Sequence, residues 1–147
     1  MGNETIICIA SSWKNQHAVE LLTAKLREQG HTVRSFVENN YDEGHGPEKP
    51  MDFEAWIRTE QADGSFAYDT EGAATSDLVV YIGPSGTDAW AEVGIAWGKG
   101  VPILGLWAKG EPAGLMRKLM TAWFTRAEGL LKATGGFRNR NPTKVQP

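Results

Sequence analysis

Two carboxylates stand out by the company they keep. From Asp88 to Gly98 the chain reads Asp-Ala-Trp-Ala-Glu-Val-Gly-Ile-Ala-Trp-Gly, with Asp88 and Glu92 its only charges. They are spaced i and i+4, hence on one face of a helix. A solvated helix has a broader polar face, rich in Lys and Glu. Here Ala, Val, Ile, Trp and Gly fill the rest. An uncompensated carboxylate in apolar surroundings is costly, so a functional Glu92 outweighs the bland reading, a narrow solvated stripe shared with Lys99. Asp69 is evenly placed between two readings: the cap of a helix starting at Thr70, or a partner for Glu92. Asp77, just ahead of an apolar run, is read as a structural turn residue. If Asp69 and Glu92 meet at strand ends, they form a carboxylate pair. Such pairs cleave glycosidic bonds, one as nucleophile and one as acid, with separated pKa values.

The segment Gly83-Pro84-Ser85-Gly86-Thr87-Asp88 precedes that helix. Small residues let a ligand approach the backbone, and a helix N-terminus favours an anion. No Gly-Lys-Ser/Thr follows, so it is not a P-loop. The plain alternative is a turn with Asp88 as N-cap. Ser11, Ser12 and Trp13 after the first strand, with Ser85, Gly86 and Asp88 after the central one, are the candidate substrate-binding residues. Trp13, Tyr41, Trp56 and Trp90 are candidates to stack on a base, with core or interface packing the commoner fate of any one. His17, His31 and His45 are scattered without a carboxylate box, so no metal site is expected.

The elements that must position these residues follow from periodicity. Thr5 to Ala10 predicts a strand, Asn15 to Gln29 a helix ended by Gly30, and Thr32 to Val37 a second strand. Asn39 to Pro50 is rich in turn formers and predicts a loop. Phe53 to Ala62 and Thr70 to Thr75 predict two helices. Leu78 to Ile82 is apolar throughout, as a strand covered on both faces should be. A helix over Asp88 to Trp97, a strand over Pro102 to Trp107 and a short helix over Leu115 to Leu119 come next. Trp123-Phe124 predicts a fifth strand. Thr125 with Glu128 predicts a capping box opening a last helix to Ala133, ended by Gly135-Gly136. The alternation implies a single-domain, doubly wound α/β fold, flavodoxin-like or Rossmann-like. Its five-stranded, mainly parallel sheet carries helices on both faces. The domain is read as 1–134, with 135–147 a loose tail. Ligands then bind at the carboxyl ends of the strands, between the loops Ser11–Asn15, Asn39–Pro50 and Gly83–Asp88.

Composition narrows the classes. The 147 residues are 41% hydrophobic and 22% charged, a globular balance. A net charge of −3 argues against a duplex nucleic-acid surface. The single Cys8 excludes an internal disulfide. No signal peptide, myristoylation pattern or membrane-length apolar run is read, so the expected setting is cytoplasmic.

Several pieces resemble the nucleoside 2-deoxyribosyltransferase-like superfamily, from Ile6 to about Thr134. The first strand and turn, Ile9-Ala-Ser-Ser-Trp-Lys-Asn15, resemble an uncharacterised bacterial and phage subgroup related to 2′-deoxynucleoside 5′-phosphate N-hydrolases. Phe66-Ala-Tyr-Asp69-Thr-Glu-Gly72, followed by Ser76-Asp77, is similar to the family's Asp-x-x-Gly helix. Pro84-Ser-Gly-Thr87, Glu92-Val-Gly-Ile-Ala96 and Gly98-Lys-Gly-Val-Pro102 resemble the signature around its catalytic Glu. The resemblance implies hydrolysis or transfer at the N-glycosidic bond of a small-molecule nucleoside or nucleotide. Glu92 would be the nucleophile at C1′ and Asp69 the proton donor to the base. Ser11 or Ser85 would approach a 5′-phosphate. No cofactor is implied, and the assembly would be a homodimer or larger homo-oligomer. Active members hold a Tyr in the first strand that hydrogen-bonds the nucleophile; the matching position here is Cys8, a poorer donor. A weakly active or inactive nucleotide-binding domain is therefore the alternative. Flavin binding rests only on Ala10–Asn15.

Overall fold

The computed structural model describes residues 5–48, 52–112 and 114–137. Five strands form one sheet, every pair parallel, in the order β2-β1-β3-β4-β5. They are β1 (Ile6–Ala10), β2 (Thr32–Arg34), β3 (Leu78–Ile82), β4 (Ile103–Leu106) and β5 (Ala122–Phe124). The described residues also form six α-helices: α1 (Gln16–Glu28), α2 (Phe36–Asp42), α3 (Phe53–Trp56), α4 (Glu60–Thr75), α5 (Thr87–Gly98) and α6 (Ala127–Gly135). This is the expected doubly wound α/β fold, with the sheet parallel throughout.

Side chains alternate between the two faces of a strand, and the core divides accordingly. Ile7, Ile9, Leu78, Val80 and Ile82 pack against Val19, Leu22 and Leu26 of α1 and Leu130 of α6. Cys8, Ala10, Val79 and Tyr81 pack on the other face against Ala89, Val93 and Ala96 of α5. β3 is buried along its whole length because both faces are covered. Strand order reverses at β1, which lies between β2 and β3, so a crevice opens outside the carboxyl ends of β1 and β3.

Some boundaries differ from expectation, each for a local reason. The second strand stops at Arg34 because Ser35 caps a helix, its Oγ accepting from Glu38 N–H at 3.5 Å. α2 therefore replaces the last residues of the predicted strand and the start of the predicted loop. Its buried residues Phe36, Val37 and Asn40 hold it to the body. The expected helix from Phe53 breaks after Trp56, because Thr59 caps a new one by accepting from Ala62 N–H at 3.1 Å. α4 then runs unbroken through Thr70. The Thr125–Glu128 box does not form: Arg126 is the N-cap without a side-chain cap bond, and Glu128 pairs with Arg126 at 3.2 Å. Phe137 packs against the core rather than starting a loose tail. The rest of that expected tail, 138–147, lies outside the described residues, as do 49–51 of the expected loop. Asp77 is the turn residue expected, accepting from Ile6 N–H at 2.9 Å.

Candidate active site

A cavity of about 480 Å³ occupies the crevice, within the range of small-molecule sites. Asp69 and Glu92 both line it, as do Ser11, Ser12, Trp13, Gly86 and Asp88. Helical register brings the two acids there. α4 and α5 are crossover helices, so both run back from the carboxyl edge of the sheet. Glu92 lies in the second turn of α5, one turn after Asp88. Asp69 lies mid-way along α4, so it caps nothing, and the capping alternative for it falls. Gly72, three residues on, lets α4 approach the sheet. A Cβ there would meet Cys8 Sγ and Arg34 Nε, each at 2.9 Å. Cys8 is the central residue of β1, and its buried thiol feels the charges of Glu92 and Asp69.

The loops of the rim are stitched together. Asn15 Nδ2 donates to Ser11 Oγ at 3.1 Å, to the Ile82 carbonyl at 3.3 Å and to the Pro84 carbonyl at 2.8 Å. Ser11 Oγ donates to the Ile82 carbonyl at 2.7 Å. Ser12 Oγ accepts from Lys14 N–H at 3.2 Å. Gly86, not Asp88, is the N-cap of α5, and Asp88 sits in its first turn.

Ser85 is the exception among the candidates. It turns away from the cavity and donates to the phenol oxygen of Tyr81 at 2.8 Å. Tyr81 in turn donates to Glu111 Oε1 at 2.6 Å, and Trp90 Nε1 donates to Glu111 Oε2 at 3.2 Å. A buried phenol needs such partners, and that need draws Ser85 inward. Ser85 and Trp90 border a separate apolar hollow of about 450 Å³ with Met116 and Leu119. Of the aromatic candidates, Trp13 and Trp56 line the main cavity. Tyr41 instead meets the edge of Trp13 at 6.1 Å between centroids.

Sequence reasoning did not single out Phe36, Asn40, Phe53, Ser65, Thr87 or Ala89 of the cavity wall. The signals existed. Ser35-x-x-Glu38 is a helix start, which puts Phe36 and Asn40 on one face. Ser65 precedes Asp69 by four residues on what proved to be one helix.

Electrostatics follow from burial and crowding. Glu92 is pushed up to about 9 by burial, then by the negative charges of Asp69 and Asp88. Asp69 is pushed up to about 6 by burial and then by Asp88, with Arg34 pulling the other way. Two crowded acids titrate as a unit, so at neutral pH this pair keeps one proton. The Cys8 thiol is pushed up to about 12, first by burial and next by Glu92. It stays protonated and is no nucleophile. Among the described residues no cluster of His, Cys, Asp and Glu could hold a metal ion, and no helix is long and apolar enough to cross a membrane.

Comparison with solved structures bears on this arrangement. A 2-deoxyribosyltransferase from the psychrotolerant bacterium Bacillus psychrosaccharolyticus superposes with a TM-score of 0.69 at 23% identity, covering 93% of this chain and 100% of that one. The chain shares that enzyme's fold. A conserved protein from Enterococcus faecalis V583 gives 0.64 at 18% identity, covering 89% and 97%. A CMP N-glycosidase from Clostridium botulinum gives 0.57 at 15% identity, covering 88% and 97%. No protein-family model matches the sequence, and no curated protein does.

Proposed function

We propose that this protein breaks the N-glycosidic bond of a nucleoside through a covalent glycosyl-Glu92 intermediate. The observation that carries the reading is that Asp69 and Glu92 line one cavity, both raised by burial and Glu92 the further of the two. The fold shared with a deoxyribosyltransferase and an N-glycosidase supports it. In the free site the retained proton sits on Glu92, the acid raised further; in the reactive form it has moved to Asp69 and the charge to Glu92. A Glu92 oxygen bonds to C1′ as the C1′–N bond breaks, and the electron pair leaves with the base, which takes the Asp69 proton. Positive charge developing at C1′ favours the ionised Glu92 at that moment. Water then attacks C1′, releases Glu92 and returns a proton to Asp69. A second base in place of water completes a transfer. Ser11, Ser12, Trp13, Gly86 and Asp88 would shape the substrate's berth. Base release from a panel of nucleosides, followed by chromatography, tests the reading; a panel that stays intact at high enzyme concentration refutes it.

Cys8 favours a second reading, a binding domain with little turnover, because its buried thiol, a weak donor, points to the Ile9 carbonyl at 4.0 Å rather than to Glu92.

The substrate of the leading reading carries no 5′-phosphate. Asp69, Asp88 and Glu92 line the cavity, and no Lys or Arg does among the described residues. Asp88 already occupies the α5 N-terminus, where the helix dipole would favour an anion. Ser85 is committed to Tyr81. A deoxynucleoside should therefore exceed its 5′-monophosphate in kcat/KM by at least about tenfold, ~1.4 kcal/mol. Preference for the monophosphate would reverse this assignment.

The proposal includes a homo-oligomer. Trp97 on α5 and Phe66 on α4 are 61% and 71% exposed in the single chain, and large exposed apolar groups mark contact surfaces. Light scattering at micromolar concentration should return more than one chain's mass; a monomer there counts against it.

A further inference from the structure

We propose that Asn40 and Ser65 read the base of the substrate, selecting bases with an amino group beside an unprotonated ring nitrogen. Cytosine and adenine share that edge. The inference rests on the glycosyl-transfer reading and names its substrate class.

Asn40 lies on α2, and only 6% of it is exposed. Its Nδ2 donates to the Phe36 carbonyl at 2.8 Å. A carbonyl can only accept, so this bond fixes which end of the amide is nitrogen. Oδ1 is left without a hydrogen-bond partner among the described residues. Ser65 Oγ on α4 is buried and unpartnered in the same way. Both residues line the cavity that holds Asp69 and Glu92. Buried polar atoms are normally paired, and two orphans on one wall call for an explanation. A ligand that pairs with them supplies it.

The rest of that wall says what kind of ligand. Phe36, Phe53 and Trp56 give it an aromatic lining, suited to a flat ring. Ser65 precedes Asp69 by one helical turn, about 6 Å along the axis. With the glycosidic nitrogen at Asp69, the base extends from the sugar toward Ser65 and Asn40. The polar match then follows from the donor inventory. Asn40 Oδ1 only accepts, so it takes an N–H from an exocyclic amino group. The Ser65 hydroxyl can donate to the adjacent ring nitrogen. Uracil and hypoxanthine present the reverse, a carbonyl oxygen beside a ring N–H. Their oxygen would face Asn40 Oδ1, acceptor against acceptor.

Matched pairs isolate this term: deoxycytidine against deoxyuridine, and deoxyadenosine against deoxyinosine. The amino member of each pair should have the higher kcat/KM, by about 10–100-fold. In Asn40→Ala, and again in Ser65→Ala, that ratio should fall toward one. Calorimetry on Glu92→Gln with the free bases reads the same preference without turnover, and adenine and cytosine should bind more tightly than hypoxanthine and uracil. Equal values within both pairs in the wild type overturn the proposal, and so does a ratio that survives Asn40→Ala. Should no nucleoside release its base while adenine and cytosine still bind preferentially, the glycosyl-transfer reading falls and the base assignment stands.

Discussion

Replacing Glu92 with Gln leaves no measurable base release and makes the protein harder to melt at pH 8. Both effects have one source. Gln keeps the shape of Glu but offers no anionic oxygen to C1′, so the covalent step is lost. A fall of about 10³-fold or more is expected, or ~4 kcal/mol of barrier at 1.36 kcal/mol per tenfold. The stability gain follows from linkage. In the folded chain Glu92 is held up to about 9 against an ordinary 4.5, first by burial and then by Asp69 and Asp88. Below about pH 4.5 it is protonated in both states and costs nothing. As pH rises, the unfolded chain ionises and the folded chain resists, so folding loses free energy until about pH 9. Gln never ionises and escapes that loss. The Glu92→Gln protein should therefore melt level with wild type near pH 4.5. At pH 8 it should melt higher by at least about 1 kcal/mol, roughly 2–4 °C for a chain of this size. Thermal melts across this range, run beside the base-release assay, check both halves. Wild-type turnover in the variant would remove Glu92 as nucleophile. A pH-independent melting difference would show that its carboxyl is not displaced.

Much of this site could be read in the chain before any coordinates. Glu92 was legible because a lone acid on an otherwise apolar helix has few structural uses, and α5 formed where its composition placed it. The central strand was legible because an unbroken apolar run fits burial on both faces. Asp69 was legible only in part. The run Asp63-Gly64-Ser65 falls in the gap between the two predicted helices and masked the continuity of α4, since glycine in a helix interior is ordinarily unfavourable. The inward turn of Ser85 was hidden for a different reason. It answers to Tyr81 and, through it, to Glu111, thirty residues beyond Tyr81 in the chain. The aromatic wall was missed through boundaries, because reading Ser35 to Val37 as strand removed Phe36 and Asn40 from any helical face. What local pattern fixes was legible, and what long-range pairing fixes was not.

Asp69→Asn should be the most informative variant, because its effect depends on the leaving group. A neutral purine or pyrimidine departs with its bonding electrons and needs a proton as it goes. Asp69 is suited to supply it. Its carboxyl is pushed up to about 6, chiefly by burial, and beside Glu92 the pair retains a proton at neutral pH. Asn is close in shape but has no acidic proton, and general acid catalysis contributes typically about 10²–10⁴-fold. Deoxyadenosine should slow by that factor. A 7-methylated deoxyadenosine is already cationic on the base and departs neutral without a proton. It should slow by less than about tenfold, the remainder being lost positioning. The variant's rate ratio between the two substrates should therefore rise by about tenfold or more over wild type. The pair's shared proton also leaves a pH signature. Wild-type activity on deoxyadenosine should fall on the alkaline side as that proton is lost, and the variant should lack this limb for the methylated substrate. Asp69 also raises Glu92, so its removal lets Glu92 ionise at lower pH. That keeps the nucleophile available and confines the defect to leaving-group protonation. Equal slowing of both substrates would make Asp69 a positioning residue, and no slowing of either would remove it from the chemistry.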